Sequence, residues 1–312
     1  MPVKISDALP ARKILEQENI FVMTEKRASA QDIRPLRLLI LNLMPLKTST
    51  ETSLLRRLSN TPLQIEVDFL RTETYTSKHT SVEYLKEFYK TFDQVRHTTY
   101  DGFIMTGAPV ELMDFEQVDY WDELQEIMRW ASDNVFATLS LCWGAQAALY
   151  HHYGIQKYPV KQKVFGVFEH TVSVENTPLL RGFDDIFYAP HSRHTEVRKE
   201  DIEAKGLTIL SESEEAGIYI VSNKDGREIF VLGHPEYDSD TLDQEYQRDV
   251  KKGLDIEVPY RYYKDDDPSQ GIQVRWFSHA QLLYSNWLNY YVYQTTPFDL
   301  SLLPKGKGPH SW

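Results

Sequence analysis

Phe136-Ala137-Thr138-Leu139-Ser140-Leu141-Cys142-Trp143-Gly144-Ala145-Gln146-Ala147-Ala148-Leu149 carries two patterns back to back. An apolar, β-prone run ends on the chain's one cysteine, and a small-residue helical pattern begins at the next position. Strand, sharp turn and helix in that order is how α/β enzymes lift a nucleophile clear of the sheet, and Ser140-x-Cys142-x-Gly144 is a variant of the nucleophile elbow. A lone cysteine is otherwise most often a small buried hydrophobe. Its role therefore turns on what the rest of the chain brings to neighbouring strand ends.

Upstream, apolar strand patterns and amphipathic helix patterns alternate. Residues 36–43 read as a buried strand closed by Met44-Pro45, followed by a helix through 51–58 and an alternating strand over 63–70. A helix near 82–92, a short run at 102–106 and a helix over 120–131 then lead into the strand that ends at Cys142. This alternation predicts an α/β fold with a mostly parallel, doubly wound sheet, with functional groups at the carboxyl ends of its strands. Beyond Tyr153, β-prone runs at 164–174, 207–211, 217–221 and 228–232 fit the second half of the same domain. The chain turns helical and charged after Tyr237. A last helix, near 279–293, is aromatic on several faces, as expected of one buried against the body or a partner subunit. Residues 1–35, with an amphipathic stretch at 11–18 and Ile20-Phe21-Val22-Met23, read as an N-terminal arm packed on the body or on a dimer partner. Residues 36–300 read as a single α/β catalytic domain, and 301–312 as a flexible tail.

Composition sets outer limits. The 312 residues, 41% of them hydrophobic, are enough for one large core. A single cysteine excludes an internal disulfide framework and suits a reducing cytosol. The opening Met1-Pro2-Val3-Lys4-Ile5-Ser6-Asp7 has no apolar signal region, and no run is long enough to span a bilayer. A net charge of −12 argues against a nucleic-acid partner, since phosphate binding needs a basic surface. A cytoplasmic protein with neither membrane nor nucleic acid as partner is expected.

A cysteine nucleophile attacks as the thiolate, so it needs a base and a group to hold that base. Ile229-Phe230-Val231-Leu232-Gly233-His234-Pro235-Glu236 ends a buried strand on a histidine, with a carboxylate two residues on. In extended backbone, positions i and i+2 project to one side, so His234 and Glu236 can face one pocket. Attack on a carbonyl also calls for oxyanion donors, each worth about 3 to 4 kcal/mol. One is the Trp143 amide at the helix start. The other lies in Thr106-Gly107-Ala108-Pro109-Val110-Glu111, where Pro109 has no N–H and the donor must be Val110 or Ala108. His151, His152, His191 and His194 lack the ligand spacing of a zinc site, so neither metal nor cofactor is expected.

Taken together, Cys142-Trp143-Gly144-Ala145-Gln146, Lys163-Val164-Phe165-Gly166-Val167-Phe168, Ala189-Pro190-His191-Ser192-Arg193-His194-Thr195 and Gly233-His234-Pro235-Glu236-Tyr237 resemble the homoserine O-acyltransferase family across nearly the whole chain. The resemblance implies a fold like class I glutamine amidotransferases with C-terminal helical elements, a homodimer, and a cytoplasmic enzyme of methionine biosynthesis working by ping-pong transfer through an acyl-cysteine. It implies Cys142 as nucleophile, His234 as acid and base, Glu236 as its orienting partner, and substrate contacts from Lys163, Ser192 and Arg248. The Arg248 fork suits the carboxylate of zwitterionic L-homoserine. Glu111 and Ser192 are the positions that bear on the acyl group. Succinyl users of the family typically carry glycine where this chain has Glu111, which points to acetyl-CoA, because a second carboxylate beside Glu111 would be repelled. Succinyl-CoA is the alternative donor. A glutamine amidohydrolase and a non-catalytic regulatory protein on the same fold are more distant alternatives.

Overall fold

Each central strand buries both of its faces, and its apolar residues sort by parity. In the computed structural model, which describes residues 3–6, 8–17, 23–24, 34–74, 80–297 and 299–303, β3 (Leu36–Leu41) turns Leu38 and Ile40 into one apolar cluster with Leu54, Leu55, Leu58, Leu283 and Trp287. Leu39 and Leu41 enter a second cluster with Phe103, Leu124, Ile127, Trp143 and Leu149. Side chains that alternate across a strand, both sets apolar, require helices on both sides of the sheet. The helices Ala11–Gln17, Lys47–Leu58 and Phe277–Asn286 cover the first face, and Trp121–Asn134 and Trp143–Tyr153 the second.

The remaining strands are β1 (Val3–Ile5), β2 (Met23–Thr24), β4 (Ile65–Leu70), β5 (Tyr89–Lys90), β6 (Tyr100–Met105), β7 (Val135–Leu141), β8 (Tyr158–Val172), β9 (Ile186–Glu196), β10 (Thr208–Ser213), β11 (Gly217–Ser222) and β12 (Glu228–Val231). Among the described residues they form one sheet in the order β2-β1-β4-β3-β6-β7-β12-β11-β10-β8-β9, with β5 beside β4. Pairing is parallel from β2 through β12 and antiparallel from there to β9. The carboxyl ends of β6, β7 and β12 therefore lie side by side. Among the described residues no helix is long and apolar enough to cross a membrane.

Several elements depart from the sequence expectation. The helix expected near 82–92 is Val82–Phe88, then β5 paired to β4, then Phe92–Val95, which restarts on a Thr91/Gln94 capping box. The strand expected from 164 begins at Tyr158, and its partner β9 is an 11-residue strand that apolar periodicity did not announce. On β9 the buried positions include His191, Arg193 and Thr195, so the inward face is polar and the hydrophobic alternation is masked. The last helix ends at Asn286 and continues as a π-helix over Trp287–Tyr293, buried against this chain's own β6: a Cβ added at Gly102 would lie 2.9 Å from the Trp287 ring. Within the N-terminal segment, β1 pairs with β4, and Ile5, Leu9, Ala11 and Leu15 join the first cluster. Residues 20–22 and 304–312 lie outside the described residues, whereas Leu300–Leu302 forms a 3-10 turn and Leu303 is buried.

Candidate active site

Cys142 stands where β7 becomes a helix, at φ 49° and ψ −118°. That conformation costs a non-glycine residue on the order of 1–3 kcal/mol and persists only where the surroundings over-determine it. They do so here. The Cys142 N–H donates to Val231 O on β12 at 2.7 Å, and its carbonyl accepts the first helical bond, from the Gln146 N–H at 3.1 Å. Gly144 lets the helix start lie directly on the end of β6, since a Cβ there would come 2.5 Å from Thr106 O. Gln146 and Thr195 exchange two hydrogen bonds, of 2.8 and 3.2 Å, and tie the same helix to β9.

The turn after β6 closes over the sulfur. A Cβ at Gly107 would lie 3.3 Å from Cys142 Cβ and 3.7 Å from the Trp143 nitrogen. Thr106 Oγ1 accepts from the Leu43 N–H at 2.8 Å and donates to Gly107 O at 3.0 Å, which holds the turn in place. The Val110 carbonyl accepts from the Met113 N–H at 3.1 Å.

On β12's far end, the His234 N–H donates to Pro190 O at 2.9 Å, its Nδ1 lies 2.8 Å from Glu236 Oε1, and its ring stacks on Tyr237 at 4.0 Å. His234 and Glu236 are both buried, but they lie beyond the end of β12 in a turn closed by the Tyr237 N–H donating to His234 O at 3.2 Å. The ring and the carboxylate thus meet within a turn and not by the extended i, i+2 projection expected from the sequence. Burial by itself disfavours the imidazolium. Cys142 and Glu236, each hydrogen-bonded to the ring, outweigh it and hold His234 well above the ordinary histidine range. Arg193, buried beside them, donates to the carbonyls of Thr195 and Ala216. Burial pulls its pKa down, while Cys142, Glu196 and Glu111 act the other way. A buried guanidinium thus lies within electrostatic range of both Cys142 and Glu111.

Glu111 is half-buried, and its Oε2 accepts from the His194 N–H at 2.9 Å. Lys163 and Ser192 both donate to one oxygen, Oε1 of Glu245, at 2.6 and 2.8 Å. Arg248 lies one helical turn along, 3.6 Å from the same oxygen, with its fork on Asp249 at 2.7 and 2.9 Å. Glu245 is thus the point on which the three expected substrate residues converge, and the sequence argument passed over it. Its signal was present, three residues before Arg248 on one helix face, but it is indistinguishable there from a solvated charge run. A cleft of about 920 Å³ opens beside this group, lined by Lys163, Phe165, Phe168, His194, Leu254 and Ile256 among others. His191 turns inward, its Nε2 2.9 Å from that of His170, and the two rings stack.

A strained cysteine elbow at the carboxyl edge of a doubly wound sheet, with an imidazole and carboxylate in the turn after the next strand, defines an α/β fold of the class I glutamine amidotransferase type. Solved structures agree on the fold: a glutamine amidotransferase from Thermotoga maritima superposes with a TM-score of 0.53 at 14% identity, covering 82% of this chain and 98% of that one. Another, from Methylobacillus flagellatus, gives 0.50 at 12%, covering 89% and 99%. Within that fold the chain belongs to the homoserine O-succinyltransferase family, whose model matches residues 2–298. It is 62% identical over 301 residues to the homoserine O-acetyltransferase of Petrotoga mobilis, covering 96% of this chain and 97% of that one. It is 61% identical over 304 residues to the homoserine O-acetyltransferase of Acetivibrio thermocellus, covering 97% and 100%. The family description and the relatives' names differ in the acyl group.

Proposed function

We propose that this protein is a homoserine O-acetyltransferase of methionine biosynthesis, moving acetyl from acetyl-CoA to the hydroxyl of L-homoserine through an acetyl-Cys142 intermediate. The observation that carries the reading is the Glu111 carboxylate, held by the His194 N–H just beyond the turn that closes over Cys142. In the first half-reaction the Cys142 thiolate attacks the thioester carbonyl, and amides of Trp143 and Val110 receive the oxyanion. The carbon–sulfur bond to CoA breaks, and the His234 imidazolium gives its proton to the departing thiolate. In the second half, now neutral His234 takes the homoserine hydroxyl proton as that oxygen attacks the acyl group, and Cys142 leaves as thiolate beside the restored imidazolium. No metal or cofactor enters the scheme, and acetyl-CoA is a substrate. The enzyme is proposed to act as a cytoplasmic homodimer.

Homoserine is a zwitterion, and Glu245 with Arg248 offers a carboxylate and a guanidinium one helical turn apart. Lys163 and Ser192 orient Glu245 through Oε1, leaving Oε2 to the substrate ammonium, while Arg248 turns from Asp249 to the carboxylate. Glu245→Gln is expected to raise KM for homoserine about thirtyfold with KM for acetyl-CoA little changed. A parallel rise in both constants would remove Glu245 from the homoserine site.

The acyl choice follows from charge. Two carboxylates about 4 Å apart at an intermediate dielectric repel by about 4 kcal/mol. Half-burial of Glu111 leaves part of that screened, so Glu111→Gly is expected to shift the succinyl-to-acetyl ratio of kcat/KM by about a hundredfold toward succinyl. Side-by-side assays of both CoA esters with homoserine test the function and this residue together. No transfer from either ester would reject the proposal, and an unchanged ratio would reject the role of Glu111.

A further inference from the structure

We propose that Lys157 is a positioning residue for acyl selection, fixing the main chain of the loop that presents Glu111. The inference rests on the acetyltransferase reading above and adds a residue that touches neither the acyl group nor Cys142. Lys157 follows the nucleophile helix and immediately precedes β8. Its Nζ donates to the carbonyl oxygens of both Glu111 and Met113 and lies 4.6 Å from the centre of the Phe115 ring. One ammonium thus clamps three of five consecutive residues of the loop.

The loop has little else to hold it. Leu112 is 72% exposed and Met113 39%, so hydrophobic burial contributes almost nothing there. Phe115 is buried and stacks on Trp121 and Tyr150, which anchors the loop's far end. Between that anchor and the turn over Cys142, Val110 packs against the second apolar cluster, and the backbone is held by the Met113-to-Val110 turn, the Gln117 bond to Asp114, the Lys157 clamp and the Glu111 bond to His194. No described carboxylate lies within ion-pair distance of Lys157. Its charge is directed at carbonyl groups, where a donor to a backbone oxygen fixes geometry. Burial lowers the pKa of the amine, and the charges of Glu111, Asp114 and Glu116, Glu111 the largest of them, act the other way, so the ammonium attracts the Glu111 carboxylate as well as holding its backbone. The clamp acts on the backbone of residue 111 and the His194 amide acts on its side chain. Together they hold the carboxylate where a longer acyl group would meet it. Without the clamp, Glu111 keeps its charge but loses its place.

The test uses the full chain and the ratio of kcat/KM for acetyl-CoA over succinyl-CoA. Lys157→Met is expected to lower that ratio about tenfold. Lys157→Arg, which keeps charge and donors, is expected to retain most of it. In a Glu111→Gly background, Lys157→Met is expected to change the ratio no further. A wild-type ratio in Lys157→Met overturns the proposal, as does the same tenfold change in the Glu111→Gly background, because the clamp would then act on something other than Glu111. Glu111→Gly alone reports on the underlying reading: a shift there with no shift in Lys157→Met separates failure of the clamp from failure of the specificity argument. Should Lys157→Met not fold, Lys157→Gln keeps a shorter neutral donor and is expected to fall between the methionine and wild-type values, and an unchanged ratio there equally overturns the proposal.

Discussion

Replacing Cys142 with alanine is expected to lower turnover with acetyl-CoA and homoserine by about a millionfold, and to abolish acetyl uptake by the protein in the absence of homoserine. Both half-reactions pass through one sulfur, so neither survives its loss. No other cysteine exists to substitute for it. The backbone at residue 142 is held from both sides, by Val231 and by the first helical bond, so alanine at φ 49° keeps the elbow without its nucleophile. Intact-protein mass measured after mixing with acetyl-CoA reads the first half alone. One added acetyl group is expected in the wild type and none in the variant. An acetylated alanine variant, or turnover within a hundredfold of wild type, would move the acyl group to another residue and end the scheme.

Glu236→Gln is expected to cost about 10³ to 10⁴ in kcat/KM and to move its pH dependence in one direction. The carboxylate 2.8 Å from Nδ1 selects the ring tautomer and stabilises the imidazolium, and an amide does neither reliably. His234 sits well above the ordinary histidine range although burial opposes this, because Cys142 and Glu236 act against burial. Removing the Glu236 charge withdraws one of those contributions and lowers the pKa of His234. Proton donation to departing CoA needs the imidazolium, so activity is present below that pKa and lost above it. The basic limb of kcat/KM for acetyl-CoA therefore shifts to lower pH in Glu236→Gln. A full pH profile for both proteins checks it. A basic limb that stays in place or rises would mean that Glu236 does not support the charged ring.

Much of the fold was legible because the β3, β6 and β7 runs are apolar on both faces and separated by helix-length amphipathic segments. The hairpin was not, and the reason is local: β9 buries His191, Arg193 and Thr195 rather than an apolar alternation, and its partner β8 runs through exposed Lys161 and Gln162 before it reaches Phe165. The same strand carries contacts that join residues far apart in sequence. His194 meets Glu111 through its backbone N–H and Ser192 meets Glu245, across 83 and 53 positions in sequence, and Arg193 adds a buried charge near Cys142. Glu245 and Lys157 were invisible for a related reason. A charged residue on a helix or in a connector has many solvated uses, and only its neighbours in space give it one.

The sequence by itself determined that a thiol ends a buried strand at a helix start, that a histidine and a carboxylate two residues apart end another, and that both strands belong to a doubly wound sheet. These are local properties: strand periodicity is written residue by residue, and a histidine and a carboxylate two residues apart are close along the chain whatever the rest of it does. Tertiary structure decided the order of the sheet, which sets β12 beside β7 and so brings His234 within hydrogen-bonding reach of Cys142. It also decided where Glu111 is held, because the donor to its carboxylate comes from β9 and the clamp on its backbone from the residue before β8. Side-chain charge is encoded in the chain, but its effect depends on distance and burial, and those exist only once remote segments have packed.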